Sequence, residues 1–264
     1  MSRSLLKLLV LAVLVATLVV LGVSLAFAEN DGSTADAGDP VATLPPVVFL
    51  SSSTNGKAGD LKFQDEDIIM FIPSDDTGTT GTWEMYFDGS DVGVANADVD
   101  GFELLDDGNI LMSFDRPVRI PGLDRVDDSD IVKFNFTAAP GQTTVGYFEL
   151  CFDGSAFDLT TGAEDIDAIA FDADGRLLIS TDGTAQVNGK ALKALDEDLL
   201  AFSPAPFTCN PTSGTWEIFV DGSDLGLTAS SEDVNGAWID TSVPENNIYL
   251  ATKGKFKAVG TVNV

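Results

Sequence analysis

Aspartate is the residue type through which this sequence could do chemistry. Three blocks place carboxylates around short glycine turns: Asp88, Asp91, Asp98 and Asp100 in the first, Asp153, Asp158, Asp165 and Asp167 in the second, and Asp221, Asp224 and Asp233 in the third. Oxygen donors at alternate positions can turn inward around a hard cation, so these residues are candidate calcium ligands. Residues 96–101 together with Asp107 partly mimic a helix-flanked calcium loop. Phe102 and Leu104 read as strand, however, so an oxygen cage of another kind is the better expectation. The competing reading makes every one of these side chains a turn cap or a solvated charge.

Catalysis is less well served. Glycoside hydrolysis needs one raised and one ionised carboxyl group at a set separation; the 42 acidic residues offer many pairs and single out none. There is no histidine, which excludes Ser-His-Asp and Cys-His nucleophilic systems and removes a common zinc ligand. The expectation is a non-catalytic protein, with a secreted glycoside hydrolase as the alternative. A formal net charge of -28 repels nucleic acid and anionic lipid, whose phosphates require Lys and Arg. It suits divalent cations, high salt or a basic partner.

The elements that must position these carboxylates are strands. A segment recurs three times, as GTWEMYFDGSDVGV (81–94), GYFELCFDGSAFDL (146–159) and GTWEIFVDGSDLGL (214–227), with Asp88, Asp153 and Asp221 spaced by 65 and 68 residues. Before each copy stands an acid-capped apolar run (66–73, 129–136, 197–204), and after it come a third run (97–105, 164–172, 232–240) and a fourth (109–114, 176–181, 247–252). These runs have strand length and are rich in Ile, Val, Phe and Leu. An initial copy of the fourth run at 47–52 makes about thirteen strands in all. Within the second run, Trp83, Met85 and Phe87, with their counterparts Phe148, Leu150, Phe152, Trp216, Ile218 and Val220, should share a core face, leaving Glu84, Glu149 and Glu217 in solvent. Trp238 falls outside the pattern and reads as an exposed aromatic, a second buried sheet face being the other place for it. Gly89, Gly154 and Gly222 are expected to supply positive φ in the Asp-Gly-Ser turns.

The expected fold is all-β, with three tandem four-stranded antiparallel units (roughly 47–108, 109–175 and 176–246, then a closing strand at 247–252) forming a closed propeller-like or barrel-like domain over 47–264. Ahead of it, residues 1–28 read as a signal peptide. Arg3 and Lys7 precede an apolar run, and Ala26-Phe27-Ala28 offers a cleavage site. Retention as a membrane anchor is the alternative. Residues 29–46 read as a flexible spacer. Export would place the chain outside the cytoplasmic membrane, where Cys151 and Cys209 can form a disulfide, a free buried thiol being the other reading of Cys151.

At Trp83, Tyr86-Phe87-Asp88-Gly89-Ser90-Asp91-Val92-Gly93, and again at Trp216, Asp221-Gly222-Ser223-Asp224-Leu225-Gly226, the chain resembles exported bacterial and archaeal repeat proteins that carry tandem W-x-x-Y-F-D-G-S-D-V-G-type segments. The resemblance spans roughly 47 to 260, and the second copy departs from it at Phe148, Cys151, Ala156, Phe157 and Asp158. It implies a secreted or cell-surface repeat domain. The expected partners are an extracellular glycan, another protein or a second copy, with no nucleic acid and no membrane insertion once the leader is cleaved.

Overall fold

The structure, a computed structural model, describes residues 8–10, 18–21, 45–242 and 247–258. The expected signal cleavage junction and most of the expected spacer lie outside these residues. In chain order the strands are β1 (Leu8–Val10), β2 (Leu18–Leu21), β3 (Val47–Leu50), β4 (Gly56–Ala58), β5 (Leu61–Phe63), β6 (Ile68–Pro73) and β7 (Gly81–Phe87). Next come β8 (Val99–Leu104), β9 (Ile110–Phe114), β10 (Val118–Arg119), β11 (Arg125–Val126), β12 (Ile131–Phe136) and β13 (Gly146–Phe152). The series ends with β14 (Ile166–Phe171), β15 (Leu177–Thr181), β16 (Ala185–Val187), β17 (Leu192–Ala194), β18 (Leu199–Ser203), β19 (Thr215–Val220), β20 (Val234–Asp240) and β21 (Asn247–Thr252).

The hydrogen-bonded sheet is offset from the sequence repeat. Four-stranded antiparallel meanders run β8-β9-β12-β13 and β14-β15-β18-β19, so each joins the third and fourth runs of one copy to the first and second runs of the next. Ahead of them β3, β6 and β7 pair in the same way, with β2 antiparallel to β3. At the other end β20 pairs with β21, and β1 lies parallel to β21. Each connection from a fourth run to a first run carries its own short hairpin, β4-β5, β10-β11 or β16-β17.

This topology corrects the expected closure. Every sheet among the described residues is open, and none returns to pair with its own first strand, so the arrangement is neither barrel-like nor propeller-like. Pairing stops after the second run for a local reason. Single 3-10 turns at Gly89–Val92, Gly154–Phe157 and Gly222–Leu225 carry the chain out of one sheet and into the next.

Successive sheets then pack face to face. The core divides into three clusters, each lying between neighbouring sheets, with Phe87, Phe102 and Phe134 in the first, Phe152, Ile179 and Phe202 in the second, and Leu199, Val234 and Leu250 in the third. The second-run alternation is visible: Met85, Phe87, Phe148, Phe152, Trp216 and Val220 are buried, Trp83, Leu150 and Ile218 are half-buried, and Glu84, Glu149 and Glu217 are exposed. One cross-strand aromatic pair occurs in all three copies. Phe71 faces Trp83, Phe134 faces Phe148 and Phe202 faces Trp216, with ring centroids 5.0, 4.9 and 4.9 Å apart. Trp238 is half-buried rather than exposed: it packs on the first cluster and sets its ring 5.0 Å from Tyr249.

The Asp-Gly-Ser turns need glycine for a different reason from the one expected. Positive φ falls at the turn ends, at Gly93, Asp158 and Gly226. At Gly89, Gly154 and Gly222 the constraint is close approach, since an added Cβ would lie 2.6 Å from Glu66 O, 2.1 Å from Ser129 O and 2.2 Å from Glu197 O. The N–H groups of these glycines donate to Asp67, Asp130 and Asp198 Oδ1 at 3.1, 3.0 and 2.9 Å. The other oxygen of each aspartate accepts from Gln64, Asp127 or Leu195 N–H. The acid cap of every first run is therefore a staple from that run to the following turn. Gly154→Ala is expected to cost roughly 2–3 kcal/mol through overpacking, whereas Gly162→Ala, which meets no atom within 4 Å, should be nearly neutral in urea denaturation.

The cysteines are bridged, Cys151 to Cys209. The link carries the segment after β18 across the edge of β13, where Asn210 N–H donates to Cys151 O at 2.6 Å. Part of an edge strand is thereby covered.

Candidate cation site

The carboxylate cluster is assembled from the starts of third runs and the ends of fourth runs. Each third run opens with an Asp-x-Asp or Asp-x-Asn pair: Asp98 and Asp100, Asp165 and Asp167, Asp233 and Asn235. Each fourth run is followed directly by Asp115, Asp182 or Lys253. Backbone bonds lock the two in the same way every time, with the N–H groups of Asp115, Asp182 and Lys253 donating to the carbonyls of Asp98, Asp165 and Asp233 at 3.2, 2.9 and 2.9 Å.

Sheet packing then brings the copies together, because β14 lies against both β8 and β20. Gly101 permits the first of these contacts. A Cβ there would sit 3.1 Å from Ala168 N, and the neighbouring Ser113 hydroxyl donates across to Ile166 O at 2.5 Å. The result is that Asp167 is fully buried, between strands that carry further acids.

Ligand oxygens from Asp167, Asp182 and Asp233 all lie within 4.8 Å of one another. Calcium–oxygen distances of about 2.3–2.6 Å put two ligands of one ion at most about 5 Å apart, so the trio can coordinate a divalent cation. The donors are all oxygen, and both cysteines are tied up in the disulfide, which favours hard cations over zinc or copper. Asp167 and Asp233 are buried while Asp182 is exposed, giving the site one wet side. Neither carboxylate oxygen of Asp167 accepts a hydrogen bond among the described residues, nor does Oδ1 of Asp233. Lys253 supplies the nearby positive charge, with Nζ 3.4 Å from Asp167 Oδ2 and 2.8 Å from Asp233 Oδ2, and a close contact to Asp182.

The surroundings remain strongly negative. Burial, followed by the carboxylates of Asp100, Asp128, Asp182 and Asp115, pushes Asp165 up to about 9. Burial likewise raises Asp100 to about 7, and Asp98 and Asp233 to about 6. Asp167 is driven well above the usual carboxylate range by burial and by Asp233 and Asp100. Although burial opposes it, the ammonium of Lys253 is held far above its ordinary value by Asp167, Asp182 and Asp233. Arg116 answers Asp115 and, at 3.8 Å, Asp98.

Of the residues singled out in the sequence, Asp98, Asp100, Asp165, Asp167 and Asp233 belong to this electrostatic network. The turn aspartates sit elsewhere, at the ends of the last strands of the sheets. Asp88, Asp153 and Asp221 cap the 3-10 turns by accepting from Ser90, Ala156 and Ser223 N–H. Asp91 accepts from Thr144 N–H and Asp158 from Gly189 N–H, and Asp224 lies exposed in its turn. Asp182 and Lys253 escaped the sequence reading. Extending the alignment of the fourth runs by one residue would have exposed them, since Asp115, Asp182 and Lys253 then fall in register.

No protein-family model, curated protein or solved structure matches the chain. No helix among the described residues is long and apolar enough to cross a membrane.

Proposed function

We propose that this chain is a non-catalytic, exported repeat module whose stacked sheets are held together by calcium at Asp167, Asp182 and Asp233. Its exposed loops and edges serve to bind a glycan, another protein or a second copy at the cell envelope. One observation carries the calcium reading: among the described residues, a fully buried carboxylate, Asp167, with no hydrogen bond to either oxygen, lies in reach of two other carboxylates that share the Lys253 ammonium with it. Leaving a buried charge so weakly compensated costs several kcal/mol, and a divalent ion supplies the missing countercharge. The ion would join β14, β20 and the residue after β15, and so tie one sheet to the next.

The test is thermal unfolding of the full chain in chelator, in millimolar calcium, in magnesium and in sodium chloride of matched ionic strength. Calcium at about a hundred times its dissociation constant should add about 2.7 kcal/mol and raise Tm by roughly 5–10 °C. Equal gains from calcium and sodium chloride would reduce the effect to screening and overturn the reading.

A further inference from the structure

Lys253 stands where the other copies carry aspartate. Asp115 and Asp182 occupy its register position, and all three make the same backbone bond to the start of the preceding third run. The exchange of an acid for a base falls beside the most buried carboxylate of the array, and the lysine head reaches all three oxygen donors of the trio. A calcium ion bonded to those donors at about 2.3–2.6 Å would occupy the space into which Nζ projects. Ammonium and divalent ion therefore cannot both sit at the centre of the trio.

We infer that Lys253 is a tethered competitor for this site, an internal cation that holds the three carboxylates when calcium is scarce and is expelled when calcium binds. The inference rests on the calcium reading above and adds what sets the site's affinity. A lysine suits the role chemically. Its charge is a compact point on a flexible four-carbon stem, so it can leave for solvent without moving the backbone, which a planar arginine fork pinned by several bonds does less readily. Its side chain is about one-third exposed, and Asp182 beside it is about half exposed, so an exit toward water exists. The consequence is a site of deliberately lowered affinity. The metal-free protein keeps a partly compensated centre, and occupancy responds to calcium at concentrations where an all-carboxylate cage would already be saturated.

The experiment compares the wild-type full chain with Lys253→Met by calorimetric titration with calcium chloride, and follows lysine reactivity in the wild type. Removing the competing charge should raise calcium affinity by about tenfold or more and make the fold of the variant depend on calcium. In the wild type, acylation by an amine reagent, read by peptide mass spectrometry, should become several-fold faster at Lys253 on adding calcium, and stay unchanged at Lys57 and Lys190. If the wild type binds calcium but Lys253→Met binds it no more tightly, or Lys253 reactivity does not move, the competitor role is overturned while the calcium reading stands. If neither protein binds calcium, both fall together. The reactivity measurement needs no variant, so it decides the matter even if Lys253→Met does not fold.

Discussion

In chelator the protein is expected to grow more stable as pH falls from 8 to 5, and in saturating calcium to gain markedly less over the same range. The metal-free direction follows from carboxyl groups whose folded pKa lies above the unfolded value near 4. Burial raises Glu66, Glu197 and Asp100 to about 7, Asp67, Asp98 and Asp233 to about 6, and Asp165 to about 9. Such groups bind protons more tightly when folded, so their contribution is fully present below pH 4 and is lost as pH climbs through roughly 6 to 9. Between pH 5 and pH 8, Tm of the metal-free protein should fall by on the order of 10 °C.

Calcium reverses the order at the trio, because the ion holds those carboxylates ionised and protons must displace it. Glu66, Asp67 and Glu197 by the 3-10 turns, and Asp98, Asp100 and Asp165 beside the site, lie outside the trio and keep their preference for acid. The gain on acidification should therefore be clearly smaller in calcium than in chelator. Hydrogen bonds hold Asp75 and Glu232 below the usual carboxylate range, so they act only at more acid pH. Differential scanning calorimetry at three pH values with and without calcium would check this. Parallel slopes in the two conditions would refute it.

The second large effect is expected from the disulfide. Bridging residues 58 apart removes chain entropy from the unfolded state worth about 4 kcal/mol in the loop-closure model. The Cys151→Ala, Cys209→Ser double variant should accordingly melt about 8–16 °C lower. Cys151 is fully buried beside Phe152, and the bridge also pins the segment that shields the edge of β13. Losing the link should thus promote association through the freed strand as well as lower the midpoint. Calorimetry together with light scattering would separate the two. A loss of less than about 1 kcal/mol would show that the unfolded chain is already compact around this loop.

How much of this was legible in the sequence depended on distance along the chain. The thirteen repeat strands could be read because strand patterning is local: Phe87, Phe152 and Val220 each sit two residues after a partner on the same face. Which strand bonds to which could not be read that way. The sheet offset is set by the 3-10 turns, whose geometry depends on Gly154 lying against Ser129 O and bonding to Asp130, contacts more than twenty residues away in sequence. The same limit applied to the site. Asp167 and Asp233 carry a visible Asp-x-Asp or Asp-x-Asn signature, but Asp182 meets Asp233, and Lys253 meets Asp167, only across two sheets. A carboxylate that caps its own turn, as Asp88, Asp153 and Asp221 do, has the same local sequence as one that faces a metal. Only the long-range partner distinguishes them.

The offset between repeat and sheet has a mechanical outcome. A stretch cut at the sequence-repeat boundaries would carry two half-sheets with raw edges, so no single copy is a unit that could have stood alone before duplication. The natural brick is 99–152 or 166–220, a complete meander. Because each brick is spliced from two copies, adjoining copies are laced together by main-chain hydrogen bonds, and strain applied at one end is shared along the array.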